Sequence, residues 1–286
     1  MDNYLEVNHL SKTFENFQLR DINFSLPKGY IMGLVGPNGS GKTTTIKLIL
    51  NMLKRDNGEV KILGLDNVTE EQAVKKNLGV VFDSNYFSDN WKVSQVEKSL
   101  SSFYQNWDAP RFAQLIDGFS IPTTKKVKDL SKGMQMKLML ACAFSYGAKL
   151  LILDEPTSGL DPVSRDEILN ILAEYIEDGE HSVLFSTHIT SDLERAADYI
   201  TYINHGEMFF SGGKDEFIDM FRIVRGGREE LSTELSQRLF GLRTFPTGFE
   251  GLIKTEDLKR FSYLSADPAT IDDIIVFTSK KGGQNE

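Results

Sequence analysis

Gly36-Pro37-Asn38-Gly39-Ser40-Gly41-Lys42-Thr43 stands between an apolar run at 30–35 and a helical pattern at 41–53. It fits G-x-x-x-x-G-K-[ST] without a gap, and a strand before and a helix after are the context in which that pattern works. The glycines let the backbone curl so that successive N–H groups point inward at phosphate oxygens. The following helix adds the positive end of its dipole. Lys42 is placed to reach the β- and γ-phosphates, the Thr43 hydroxyl to hold Mg²⁺, and Thr44 continues the helix start. An ordinary glycine turn needs neither the Gly-Lys-Thr run nor the flanking strand. Alone, the loop says that the chain binds a nucleoside triphosphate, a class that includes kinases, GTPases, motors and transport ATPases.

Leu150-Leu151-Ile152-Leu153-Asp154-Glu155 reads as a buried strand ending in two acids. Asp154 at the strand tip suits Mg²⁺, and Glu155 sits where an attacking water would be polarised. Adjacent carboxylates are costly without a nearby cation, which Mg²⁺ supplies. Thr187-His188 ends another apolar run, and a histidine at a strand's carboxyl end beside a phosphate site can hydrogen-bond the γ-phosphate or the water. His9, His181 and His205 have no such context and read as surface or packing residues. In Leu130-Ser131-Lys132-Gly133-Met134-Gln135, Ser131 is a good N-cap and Gly133 permits close backbone approach. That helix start is a second anion site, and the physics alone does not say which anion it serves.

Outward from the loop, short β-rich runs at 5–10, 17–26, 59–63 and 78–82 surround it, closed by turns such as Pro27-Lys28-Gly29. From about 84 to 146 the pattern turns helical, with Phe103, Tyr104 and Trp107, and reads as a helical insert. Strand signals return at 150–153, 182–186 and 200–203, with a helix between Pro162 and Glu177 and a hairpin near Gly206-Glu207. Strands alternating with helices imply a parallel sheet with crossover helices. Arg225-Gly226-Gly227-Arg228 reads as a hinge, so the chain divides into a nucleotide-binding domain at 1–225 and an extension at 226–286. The extension carries no chemical motif and is expected to be a small α/β accessory or dimerisation module.

The chain has 286 residues, a net charge of −9 and one cysteine, Cys142. A chain this long buries roughly three quarters of its unfolded surface and folds without disulfides or structural metal. One cysteine excludes an internal disulfide and a cysteine-cluster metal site. No stretch approaches the roughly 18 apolar residues of a spanning helix, and the first residues show no signal peptide. The acidic balance argues against a generic polyanion binder, so no nucleic-acid partner is expected.

Taken in order, these motifs resemble the nucleotide-binding subunit of an ATP-binding-cassette (ABC) transporter, over about residues 4–213. Residues 36–44 look like its Walker A loop, 130–135 its signature motif, 150–155 its Walker B strand, 158–161 its D-loop, and His188 its switch histidine. Phe14, 22 residues before Gly36, sits where the family places an aromatic that stacks on adenine. The resemblance implies a P-loop NTPase fold: a RecA-like parallel sheet core, an antiparallel β-subdomain and the α-helical insert, followed by the C-terminal α/β extension. It implies ATP and Mg²⁺ as ligands. It also implies two subunits, a homodimer or paralogous heterodimer, paired head to tail. Each ATP would lie between the Gly36, Asn38, Gly39, Ser40, Gly41, Lys42, Thr43 and Thr44 loop of one and the Ser131 and Gly133 of the other. Glu155 would polarise water, His188 would stabilise the γ-phosphate, and Asp161 would link the two sites.

Two departures stand out. The family places glutamine after the 78–82 strand, touching Mg²⁺ and signalling to the membrane subunit; here the position is Asp83. The signature reads Ser-Lys-Gly-Met in place of Ser-Gly-Gly-Gln, so Lys132 adds a cation. Both look like the bacterial branch that exports peptides, antimicrobial compounds or drugs through ABC-2-type permeases. The aromatic segment 84–92 lies where the family docks the permease. The expectation is an ATPase subunit, cytoplasmic and peripheral on the inner face of the cell membrane. It would drive a separate polytopic permease. The alternative is a non-transport ABC ATPase acting on nucleic acid or the ribosome.

Overall fold

Residues 31–35, 150–154 and 182–187 are buried at every position, as a strand covered on both faces requires. Around them the structure, a computed structural model, describes residues 2–279. The chain opens with β1 (Asn3–Thr13), β2 (Gln18–Pro27) and β3 (Ile31–Val35), then α1 (Lys42–Ile49), β4 (Asn57–Ile62), β5 (Leu65–Asp66), α2 (Glu71–Lys75) and β6 (Leu78–Val81). The insert holds α3 (Val93–Phe103), α4 (Ala109–Gly118) and α5 (Lys132–Ser145). Next come β7 (Leu150–Asp154), α6 (Pro162–Ile176), β8 (Ser182–Thr187), α7 (Thr190–Ala196), β9 (Tyr199–Asn204) and β10 (Glu207–Gly213). The remainder is α8 (Lys214–Asp219), β11 (Phe221–Gly226), α9 (Thr233–Arg238), β12 (Phe240–Phe245), β13 (Gly248–Lys254), α10 (Thr255–Leu258), β14 (Ser265–Pro268) and α11 (Ile271–Ser279).

The main sheet runs β5-β4-β1-β2-β10-β9-β3-β8-β7-β6. Strands β9, β3, β8, β7 and β6 pair in parallel, with Val35 beside Thr187, Asp154 beside Ser186, and Val81 beside Leu153. Their carboxyl ends therefore gather at one edge, where ligands bind in open α/β sheets. Strands β5, β4, β1 and β2 form the antiparallel part, joined to the rest by one pairing, Glu207 with Arg20.

The helix expected over 41–53 stops at Ile49. Asn51 turns left-handed (φ 54°), its N–H bonds Leu48 O at 3.1 Å, and the Met52 N–H bonds Lys47 O at 2.8 Å. Those two bonds satisfy the last carbonyls and close a helix. The insert helices pack on one another through Val93, Val96, Phe112, Ile116, Leu138 and Cys142. Asp108 caps α4, accepting from Arg111 N.

The extension differs from its sequence reading. Its sheet runs β12-β13-β11-β14, so its first strand begins at Phe221, ahead of the expected division. Arg225, read as part of a hinge, is held by Glu250 and Asp267 within that sheet. One sheet face merges into the cassette's own core. Phe221, Ile223 and Leu252, with Ile274 and Phe277 of α11, join the cluster that contains Leu153, Phe185 and Tyr202. The other face is closed by Leu235, Leu239 and Phe261. Helix α11 is also bonded to the cassette. The Tyr202 hydroxyl meets Thr278 Oγ1 at 3.0 Å, Asn204 Nδ2 donates to Thr278 O at 3.1 Å, and the Thr190 hydroxyl donates to Asp272 Oδ1 at 3.1 Å. Residues 280–286 of the expected extension lie outside the described residues.

A shared core predicts shared stability. Phe277→Ala is expected to cost about 3–5 kcal/mol, the usual loss for a buried phenylalanine. Urea unfolding should remain one transition; a loss below about 1 kcal/mol would mean that α11 packs loosely. Among the described residues no helix is long and apolar enough to cross a membrane.

Candidate functional site

The 36–43 loop leaves β3 at the sheet's carboxyl edge. Gly36 is required by space: a Cβ there would lie 2.1 Å from Ile203 O and 2.5 Å from Ser40 Oγ. Gly41 caps α1 with φ 115°, in the left-handed region, against the rings and methyls of Phe17 and Leu19. Asn38 and Gly39 are exposed at the loop's crest, and Thr44 is half-buried in the first turn. Ser40 Oγ is buried with no hydrogen-bond partner among the described residues, a polar atom inside an anion cradle. Lys42 is buried, and its ammonium donates to Gly36 O at 2.8 Å.

Asp154 ends β7 buried, and its Oδ1 accepts from Ser186 Oγ at 2.6 Å and from Thr43 Oγ1 at 3.3 Å. At Glu155 the chain turns left-handed (φ 53°), a conformation that few side-chain-bearing residues adopt. Its N–H donates to Ser186 Oγ at 3.0 Å. Its carboxylate stands between two cations or potential cations: His188 Nδ1 at 2.7 Å from Oε2 and Lys42 Nζ at 3.7 Å from Oε1. With Nδ1 turned to Glu155, the imidazole keeps Nε2 for another partner. Burial pulls the Lys42 ammonium below the usual lysine range, and the charges of Glu155 and Asp154 oppose that pull.

Lys42, Thr43, Asp154, Glu155 and His188 thus come together as the sequence suggested. Ser186 joins them unforeseen; its signal was a hydroxyl in an otherwise apolar run just ahead of Thr187-His188. Asp83, exposed two residues past β6, lies at the same sheet edge by register and makes no hydrogen bond among the described residues. Phe14 is exposed beside Phe17, with centroids 6.3 Å apart, and it is Phe17 that touches Gly41.

Ser131, Gly133 and Asp161 form a separate group at the starts of α5 and α6. Ser131 Oγ accepts from Met134 N, while the Asp161 carboxylate accepts from Val163 N, Ser164 N and Ser164 Oγ. The Ser164 hydroxyl and N–H hold the Asp161 carboxyl below its usual range. A Cβ on Gly133 would meet Ser164 Oγ at 3.0 Å, so glycine lets the two helix starts approach. Lys132 Nζ lies 3.1 Å from where a Cβ on Gly159 would stand, which places the extra cation against the 158–161 loop. No hydrogen bond or ion pair among the described residues links this group to the 36–43 loop.

The ABC transporter family profile matches residues 19–158. The ABC transporter ATP-binding protein YtrB of Bacillus subtilis is 32% identical over 205 residues, 71% of this chain and 70% of that protein. The chain belongs to the ABC transporter ATP-binding proteins. Another family member, the daunorubicin/doxorubicin resistance ATP-binding protein DrrA of Streptomyces peucetius, is 30% identical over 220 residues, 74% of this chain and 66% of DrrA. A solved ATP-binding subunit of an ABC transporter superposes with TM-score 0.68 at 26% identity, over 74% of this chain and 91% of its own. Like other ABC ATP-binding subunits, the chain binds ATP, hydrolyses it, and works with membrane permease components. The fold expected from the motifs, a P-loop NTPase cassette, is the fold observed. Thr43 and Asp154 offer hard oxygen donors, which suits Mg²⁺. That ion binds through one or two carboxylates together with substrate phosphates and water.

Proposed function

We propose that this ABC subunit drives export of a peptide, antimicrobial or drug-like molecule through a separate ABC-2-type permease. The observation that carries the hydrolytic part is the run Lys42–Glu155–His188 at the sheet edge, three side chains in hydrogen-bond or ion-pair reach beside the phosphate loop. Export draws its support from the likeness to DrrA, whose name ties it to drug resistance.

In this reading the N–H groups of 36–43 and the start of α1 hold the β- and γ-phosphates, with Lys42 shifting from the Gly36 carbonyl to the phosphate charge. Phe14 lies against the adenine. Thr43 and Asp154 would hold Mg²⁺, with Asp83 at the same edge, and the bound ion supplies positive charge at the phosphate oxygens. Glu155 orients a water and accepts its proton as the oxygen bonds the γ-phosphorus, while ADP leaves with the old bond's electrons. His188, oriented by Glu155 through Nδ1, turns Nε2 toward the γ-phosphate. Ser131 and Gly133 of a second subunit close over the phosphates, and Asp161 borders that interface. Two such subunits, identical or paralogous, closing on ATP and opening after hydrolysis, move the permease. The cassette would end before the β11 sheet, with the extension as its accessory part.

The permease's place is the cavity of about 1040 Å³ between α1, α2, β6 and α3, lined in part by Met52, Phe82, Tyr86 and Phe103. Of the aromatic segment 84–92, Tyr86 faces this groove and is exposed, whereas Phe87 packs inward on the insert and the main core. An apolar groove with exposed aromatics suits a partner helix.

The reading is tested by co-purifying the membrane subunit and measuring ATP-driven accumulation of an amphipathic drug in inside-out vesicles. Nucleic acid or ribosomes in place of a polytopic subunit would overturn it. Asp83 adds its own check. Asp83→Gln removes a negative charge and adds an amide donor at the edge between the nucleotide and the groove. It is expected to change substrate-stimulated ATPase at least about twofold while basal ATPase stays nearly constant. Equal changes in both rates would remove any coupling role from Asp83.

A further inference from the structure

Asp192 is buried completely in the first turn of α7, four residues beyond His188. A carboxylate in such a place is costly unless its oxygens are well used. Oδ2 accepts from the Thr157 hydroxyl at 2.5 Å. Oδ1 faces Arg165 Nε at 3.8 Å, and neither of those two atoms has a hydrogen bond among the described residues. Thr187, the last residue of β8, uses its hydroxyl to accept from the Ile189 N–H at 2.9 Å, on the way from His188 to this carboxylate. Burial raises the Asp192 carboxyl pKa, against the lowering pull of Thr157, Arg165 and Thr187.

These partners belong to three segments that carry the site. Thr157, itself fully buried, is two residues past Glu155. Arg165 lies in the first turn of α6, and its N–H bonds Asp161 O at 3.0 Å. Asp192 and Thr187 flank His188. Glu155 holds a left-handed φ, a strained conformation that persists only where its surroundings fix it. Ser186 anchors the Glu155 N–H on one side of that turn, and the Thr157–Asp192 bond anchors the other. The same carboxylate fixes the start of α7, from which the His188 loop hangs; the Asp192 N–H bonds Ile189 O at 3.2 Å and the Ile189 N–H bonds Thr187 Oγ1 at 2.9 Å.

We propose that Asp192 is a positioning residue for ATP hydrolysis, its buried carboxylate tying the Glu155 turn to the His188 turn so that the Glu155–His188 hydrogen bond is held. This inference rests on the roles given above to Glu155 and His188. It assigns Asp192 no contact with ATP. What it sets is the spacing between a proton acceptor and the imidazole that acts beside it, and misplacement of about 1 Å at such a site costs on the order of a hundredfold in rate.

The test measures kcat and KM for ATP on the full chain, together with ATP affinity by calorimetry. Thr157→Val keeps the shape and removes the hydroxyl; Asp192→Ala removes the carboxylate. Each is expected to lower kcat between about tenfold and a hundredfold with KM for ATP within about twofold. The pair combined should be no worse than the more severe single change, because both break one link. Thr157→Ser restores the hydroxyl and should return kcat to within about twofold of the starting protein. Should Asp192→Ala fail to fold, Thr157→Val and Thr157→Ser decide alone. The proposal is overturned if Thr157→Val leaves kcat unchanged, if KM rises in step with the fall in kcat, or if Thr157→Ser fails to restore it. Glu155→Gln, run alongside, separates the two levels. If it retains full kcat, the underlying reading of the site fails. If it loses activity while Thr157→Val does not, only the Asp192 assignment fails.

Discussion

Glu155→Gln is expected to lower ATP turnover by a factor on the order of 10²–10³ while ATP affinity changes by less than about tenfold. Glutamine has nearly the same shape and can still bond His188, so the turn at φ 53° and the 2.7 Å contact lose little. What disappears is the proton acceptor. The Lys42 ammonium, 3.7 Å away, also loses a competing negative charge, which favours bound phosphate. Binding without turnover should accumulate an ATP-bound pair of subunits. Phosphate release measures the rate, and light scattering with ATP reports the pair. A monomer at saturating ATP would reject the two-subunit sandwich for the isolated subunit. Turnover near that of the unsubstituted protein would show that another group takes the proton.

Lys42→Ala should weaken ATP binding at least roughly a hundredfold, the equivalent of about 3 kcal/mol for charge-assisted bonds to phosphate. The replacement also leaves Gly36 O without the donor it has at 2.8 Å and puts Glu155 next to an anion with no cation between them. Three effects act in one direction: a lost phosphate contact, a loosened loop and an unscreened carboxylate. Calorimetry with ATP checks the affinity, and a thermal melt separates it from unfolding. Lysine is the residue of choice here because a compact ammonium can change partners, from the Gly36 carbonyl to phosphate, with little side-chain motion. Unchanged affinity would remove Lys42 from the phosphate site.

Much of this site is local in sequence, and that part was legible. The 36–43 loop needs glycine at fixed positions for steric reasons that the spacing displays, and the strands ending in Asp154 and Thr187 announce themselves as apolar runs of strand length. Harder to read were features set by distant pairs. Thr157 meets Asp192 across 35 residues and Tyr202 meets Thr278 across 76, and no periodicity encodes either. The extension was silent for the same reason: Phe221, Ile223 and Phe277 look like an independent small core until the fold sets them against Phe185 and Tyr202. The apparent hinge at 225–228 is instead the end of β11, an inner strand of the second sheet, where Arg225 is pinned by acids from β13 and β14. The early stop of α1, against the helical pattern read through 53, turns on Asn51, a residue that tolerates left-handed backbone. Helix α2, five residues long, is too short for a helical period to register.

Helix α11 also sets a schedule for synthesis. It follows every other element of the core it enters, so the ribosome makes β3 and the phosphate loop some 230 residues before the helix that helps to cover Tyr202. At roughly 5–20 residues per second that interval is on the order of 10–50 s. Tyr202, Phe217 and Phe221 are made only about 50–70 residues ahead of α11, and for that shorter span they lack its cover. The phosphate loop therefore precedes the closing of the core that Tyr202 shares with α11.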